Sequence, residues 1–194
     1  VNTSKKRKSK TTKNKQETNY WLNLLGNNKI TKSYEKSNRG CQIMESNTSC
    51  NKLFFICPFC QIEHFIRKQF GDGYFITAPA SIFCFDNEAF SHEIKKFIVR
   101  STINEIYFVC DLDCNFVTNS LSGGTAFGLL CELAIQNLMS SSENPLTMSQ
   151  KIISYQISMI ENTKSISDLI VEKKIKIQGI ISSRKENKLT LIAQ

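Results

Sequence analysis

The 194-residue sequence has no apolar run approaching the roughly 18 residues that cross a bilayer as a helix. Its basic N-terminal stretch leads into polar residues and not into the apolar core of a secretory leader. A transmembrane protein and an exported one are therefore not expected, and a cytoplasmic protein is. Acidic residues are absent from residues 1–15, which hold Lys5, Lys6, Arg7, Lys8, Lys10, Lys13 and Lys15. Those seven charges, subtracted from a net charge of +8, leave +1 for the rest of the chain. The tail is thus solvated and disordered by expectation, of the kind that contacts anionic partners through long-range attraction. Histidine is scarce: His64 and His92 are the two in the sequence, and both are expected to be surface or core residues and not metal ligands. Proline is scarce too, with Pro58, Pro79 and Pro145. No internal repeat is evident.

What is present reads as one α/β domain with an appendage. Hydrophobic residues make up 41% of the chain and charged residues 22%, the balance of a globular protein. Residues 1–19 form the basic tail. Residues 20–51 form an arm, with Trp21, Leu22, Leu24 and Leu25 on its apolar side, and a polar linker. Residues 52–194 form the domain. Leu53-Phe54-Phe55-Ile56-Cys57 is continuously apolar and is stopped by Pro58, the pattern of a strand buried on both faces of a parallel sheet. A short helix is expected over residues 61–70, then the Gly71-Asp72-Gly73 turn and a strand at Tyr74-Phe75-Ile76. Phe90, Ile94, Phe97 and Ile98 mark one face of a helix over residues 87–101, with Asp86 or Asn87 as its cap. A third strand covers residues 105–110. A long helix is expected to open at Gly123-Gly124 and run to about Met139, and another to start at Pro145. Residues 175–181 and 189–192 read as two strands joined by a polar turn. Alternating strands and helices predict a mainly parallel sheet flanked by helices.

Eight cysteines stand at 41, 50, 57, 60, 84, 110, 114 and 131. In a reducing compartment this count favours buried thiols, metal ligands or nucleophiles over disulfides. Cys41, Cys50, Cys84 and Cys131 have no partner at ligand spacing and are expected to be small buried apolar residues. The others form two clusters at strand ends, Cys57-Pro58-Phe59-Cys60 and Cys110-Asp111-Leu112-Asp113-Cys114. Carboxyl ends of parallel strands are where α/β sheets bind ligands. Two thiolates from separate strands with one further ligand and an open position make a zinc site that can activate water.

The order of these pieces over residues 20–193 resembles that of the β-class carbonic anhydrases. That family ends an apolar strand in Cys-x-Asp-Ser-Arg, where this chain has Cys57-Pro58-Phe59-Cys60-Gln61. Its Gly-His-x-x-Cys corresponds to Cys110-Asp111-Leu112-Asp113-Cys114. Ile153-Ser154-Tyr155-Gln156, Ile175-Lys176-Ile177-Gln178-Gly179 and Leu189-Thr190-Leu191-Ile192 resemble the closing helix, strand and hairpin. The resemblance implies a zinc site on Cys57, Asp111 and Cys114, a homodimer or higher homo-oligomer, and CO2 and bicarbonate as substrates if the site is active. Asp111 replaces the family's histidine, Phe59 its aspartate and Gln61 the arginine that holds that aspartate. Thr77-Ala78-Pro79-Ala80-Ser81 replaces an Arg-Asn-Ala-Gly-Asn stretch. A phenyl ring accepts no proton and orients no hydroxide, so impaired or lost CO2 hydration is expected, no residue is assigned a catalytic role, and a scaffold or assembly subunit is a further reading.

Two rivals compete with this resemblance. Cys57-Pro58-Phe59-Cys60 has the spacing of a thiol-disulfide oxidoreductase motif. Pro79 is too near and Pro145 opens a helix, so neither suits the cis-proline that faces such a motif. A zinc ribbon on Cys57, Cys60, Cys110 and Cys114 is disfavoured because the second pair has three intervening residues and both pairs end apolar strands. A closed structural site of three or four thiolates from the same cysteines is the remaining alternative.

Overall fold

The computed structural model describes residues 50–124 and 129–192. The tail, the arm around Trp21 and most of the linker lie outside the described residues, as does Cys41.

Among the described residues five strands form one sheet in the order β2-β1-β3-β4-β5. They are β1 (Lys52–Ile56), β2 (Tyr74–Thr77), β3 (Glu105–Asp111), β4 (Lys176–Ser183) and β5 (Lys188–Ile192). The first four are mutually parallel, and β5 returns antiparallel to β4 as a hairpin. Among the described residues six α-helices accompany them: α1 (Glu63–Phe70), α2 (Glu88–Arg100), α3 (Asn115–Leu121), α4 (Leu130–Leu138), α5 (Pro145–Asn162) and α6 (Lys164–Lys173). The expected α/β architecture, a mainly parallel sheet flanked by helices, is therefore observed.

The two central strands are apolar on both faces, and their rings divide between two stacks. Phe54 lies against Tyr107 and Phe75 with centroids 4.9 and 5.3 Å apart on one face. Phe55 stacks on Phe108 at 4.9 Å on the other and meets Phe83 and Phe85 edge-on. Each such pair adds about 0.5–1.5 kcal/mol beyond its buried area. The stacks tie β1 to β3, and so fix the relative height of the two strand ends that carry the cysteine clusters. Helix α5 closes over β4 at Gly179, where an added Cβ would lie 2.5 Å from Ile153 Cγ2.

Local chemistry sets the helix starts. Asn87 accepts the Phe90 N–H at 3.0 Å and caps α2. Asn144 and Thr147 cap α5 reciprocally, with Pro145 at its first position. One helix expectation needs correction. The helix expected to open at Gly123-Gly124 is instead a break: α3 ends at Leu121, Gly123 takes φ +68 in a turn, and α4 starts at Leu130. With Gly123 left-handed, its N–H bonds the Ser120 carbonyl at 3.3 Å and the Gly124 N–H bonds the Asn119 carbonyl at 2.8 Å, which closes the carboxyl end of α3. Beyond α5, Thr163 breaks the helical run with ψ 95, and α6 follows as a separate element.

Candidate metal centre

Strand β1 delivers Cys57 at its carboxyl end, and Pro58 starts a single 3-10 turn, Pro58–Cys60. The Cys60 N–H closes that turn on the Cys57 carbonyl at 3.2 Å. Residues three apart eclipse in a 3-10 turn, so the Cys60 side chain comes back over Cys57. Strand β3 ends at Asp111, and the Cys114 N–H bonds the Asp111 carbonyl at 3.1 Å. That turn places Cys114 at the N-cap of α3. The parallel register of β1 and β3 brings both turns to the same sheet edge.

Among the described residues, the sulfurs of Cys57, Cys60 and Cys114 lie within 4.8 Å of one another. The Cys114 and Cys57 sulfurs are 3.9 Å apart. All three thiols are free and no more than 3% exposed. Tetrahedral zinc with Zn–S bonds of about 2.3 Å would hold its sulfurs about 3.8 Å apart. The thiol spacing and the soft donor set therefore fit such an ion.

A third wall comes from the 3-10 turn Pro79–Ser81. Ala80 and Ser81 both sit in the left-handed region, at φ 56 and 58. This conformation costs a residue with a Cβ about 1–2 kcal/mol. It aims the Ala80 N–H at the Cys57 sulfur, while the Ser81 hydroxyl donates to the Val109 carbonyl at 2.7 Å.

Within the group the charge belongs on Cys57. The Cys114 thiol, then the Cys60 thiol, donate to its sulfur; with the Phe59 and Ala80 amides they outweigh burial and lower its pKa to about 3. Its partners move the other way. Cys114 rises to about 12, chiefly because its proton bonds Cys57, and Cys60 rises because its hydrogen bonds with Cys114 and Cys57 favour the protonated form. Two further buried thiols stand behind these. Cys110 is pushed well up by burial and by the neighbouring Cys114 and Cys57 charges. Cys131 is pushed up to about 12 by burial, then by Glu132, Cys57 and Cys114.

The structure places the sequence candidates differently from one another. Cys57 and Cys114 come together as expected. Asp111 is buried, but its Oδ1 accepts the Asp113 N–H at 2.9 Å and faces Arg184 Nε at 3.4 Å. Its Oδ2 is buried without a hydrogen-bond partner. The converging group takes Cys60 as its third member in place of Asp111. Cys60 was expected to matter only in the rival readings, the redox motif and the all-thiolate sites; the signal was Pro58, which sets up the turn that returns Cys60 to Cys57. Of the zinc-ribbon set, Cys110 stays out of the group.

Phe59 is 60% exposed and packs edge-to-face on Phe116 of α3 at 5.2 Å. Gln61, His64 and His92 are exposed, the histidines as expected. Cys131 is buried as expected, whereas Cys50 and Cys84 are half-buried.

No protein-family model matches the sequence, and no curated protein matches it. Solved structures do. The chain is similar to a tetrameric β-carbonic anhydrase of the ascomycete Sordaria macrospora, at 15% identity and a TM-score of 0.63, over 95% of this chain and 91% of that one. It is likewise similar to the β-carbonic anhydrase CafA of Aspergillus fumigatus, at 15% identity and a TM-score of 0.63, over 97% and 89%. A Coccomyxa β-carbonic anhydrase solved with acetazolamide matches at 9% identity and a TM-score of 0.57, over 92% and 84%. Identities this low speak for architecture alone, and the architecture agrees with the order of elements in the sequence: this chain has the β-carbonic anhydrase fold.

Proposed function

We propose that this chain is a β-carbonic anhydrase-like protein in which CO2 hydration is impaired or lost and the strand-end thiols serve as a buried metal-holding centre. The observation that carries this reading is the convergence of Cys57, Cys60 and Cys114 within 4.8 Å. These three residues would hold zinc, which supplies a Lewis acid and, where a coordination position is open, an acidified water.

The residues around the thiols do not support hydration chemistry. Phe59 offers no proton acceptor and points to solvent. Gln61 is exposed. Asp111, the alternative third ligand, is engaged by Arg184 and the Asp113 amide. A third thiolate also adds negative charge to the ion and weakens it as a Lewis acid. The protein then acts as a scaffold or assembly subunit, as a homodimer or larger homo-oligomer. The Sordaria macrospora relative is described as tetrameric, which supports assembly. The buried free thiols suit a reducing cytoplasm, and the Lys-rich tail would add contacts to an anionic partner.

Zinc analysis of the purified full chain together with stopped-flow CO2 hydration tests the proposal. The expected result is stoichiometric zinc with hydration no faster than the buffer blank. Stoichiometric zinc with clear hydration would overturn it and favour an active carbonate dehydratase. A thiol-transfer activity lost on Cys57→Ser would favour the oxidoreductase reading instead.

A further inference from the structure

We propose that the three thiols of Cys57, Cys60 and Cys114 also capture a trivalent, thiophilic oxyacid of the arsenous acid class. The inference deepens the metal-centre reading and rests on it. Three observations point to a ligand that wants three sulfurs and brings three positive charges.

The donor count comes first. Three sulfurs converge within 4.8 Å, and the Asp111 carboxylate, whose Oδ1 faces Arg184, is not in that group. A three-coordinate centre is complete on the thiols alone, whereas a four-coordinate ion needs a further ligand.

Charge comes second. A divalent ion on three thiolates leaves a net charge of −1, and a trivalent centre leaves none. The site is buried, with each cysteine at most 3% exposed, where an uncompensated charge is expensive. Arg184 is already paired with Asp111.

The third is the chemistry of entry. Arsenous acid is uncharged at neutral pH and exchanges its three hydroxyls for thiols without any change of oxidation state. At each step a sulfur–arsenic bond forms, an arsenic–oxygen bond breaks, and the thiol proton leaves with the hydroxide as water. Three thiols and one arsenous acid give the tris-thiolate and three waters. Where Cys57 enters as a thiolate, one solvent proton completes the third water.

The test uses the full, reduced, metal-free chain with sodium arsenite and, in parallel, with zinc. Native mass spectrometry should show one arsenic gained for three hydrogens lost. Arsenic-edge X-ray absorption on the unmutated protein should show three sulfur neighbours and no oxygen. Cys57→Ser, Cys60→Ser and Cys114→Ser, checked for folding by circular dichroism, should each weaken capture beyond the ~10–100-fold that outer-shell changes cost a metal site. Cys50→Ser, at the opposite end of β1, should not. Oxygen neighbours retained on the bound arsenic, or capture unchanged in the three serine variants, would overturn the proposal. Zinc binding without arsenite capture would overturn it and leave the metal-centre reading standing; failure of both ions would remove both.

Discussion

Replacing Cys60 by serine separates the two ligand sets that this chain offers. The substitution keeps the size of the side chain and the 3-10 turn, since Pro58 and the Cys60 N–H to Cys57 carbonyl bond remain, but exchanges a thiol for a hydroxyl that ligates zinc poorly at neutral pH. Structural zinc sites of four ligands bind with about 10–16 kcal/mol at pH 7, or about 2.5–4 kcal/mol per ligand. At 1.4 kcal/mol per power of ten, losing one ligand costs about two to three powers of ten in affinity. Asp111→Asn is the matched control. Asp111 lies outside the thiol group and engages Arg184 and the Asp113 amide through its Oδ1, so its loss should change zinc affinity less than about tenfold, in the range of a weak outer-shell effect. Competition of each variant against a chromophoric chelator at pH 7 measures both constants. If Asp111→Asn loses the two to three powers of ten and Cys60→Ser does not, the ligands are Cys57, Asp111 and Cys114, and the regrouping argument fails.

Other consequences are open to the same kind of check. Zinc at about 100 times its dissociation constant should stabilise the folded chain by about 2.7 kcal/mol, read as a rise in melting temperature that a chelator reverses; no shift would mean no native-state site. Cys110 and Cys131 both have pKa values raised above the ordinary 9.0. The folded chain therefore keeps protons that the unfolded chain releases, and above pH 9 these two thiols should make metal-free stability fall as pH rises. Urea melts should show this fall, and Cys131→Ser should make it shallower; a rise with pH would have the wrong sign for buried thiols. Gly179→Ala drives a Cβ to within 2.5 Å of Ile153 Cγ2 and should cost about 1–3 kcal/mol by overpacking, measurable in the same melts. Phe55→Ala removes the ring that meets Phe83, Phe85 and Phe108 and should cost about 3–5 kcal/mol; a loss under 1 kcal/mol would mean the stack is not the core it looks to be.

The sequence showed the sheet well and the site only in part, for a physical reason. Leu53-Phe54-Phe55-Ile56 and Ile106-Tyr107-Phe108-Val109 are apolar on both faces, and only a central parallel strand uses such runs. Their ends could then be placed at one sheet edge, which put Cys57 and Cys114 together before any coordinates. Asp111 looked like the third ligand because it stands where a ligand stands in the family. What redirects it is Arg184, seventy-three positions later, in a stretch that reads simply as a polar turn. The β3–β4 register that pairs Asp111 with Ser182 brings that arginine alongside, and register is a tertiary property. Cys60 was left to the rival readings for a local reason, since a tetrapeptide cannot show whether Pro58 leads into a long helix or a single 3-10 turn. The split of the expected helix at Gly123 has the same origin: glycine pairs stop helices as readily as they precede them, and the neighbouring apolar residues fit either side of the break.

Zinc-edge X-ray absorption on the zinc-loaded full chain counts the sulfurs directly. Three sulfur neighbours at about 2.3 Å are the predicted result for Cys57, Cys60 and Cys114. Two sulfurs with carboxylate oxygen at about 2.0–2.2 Å would contradict it and return Asp111 to the metal.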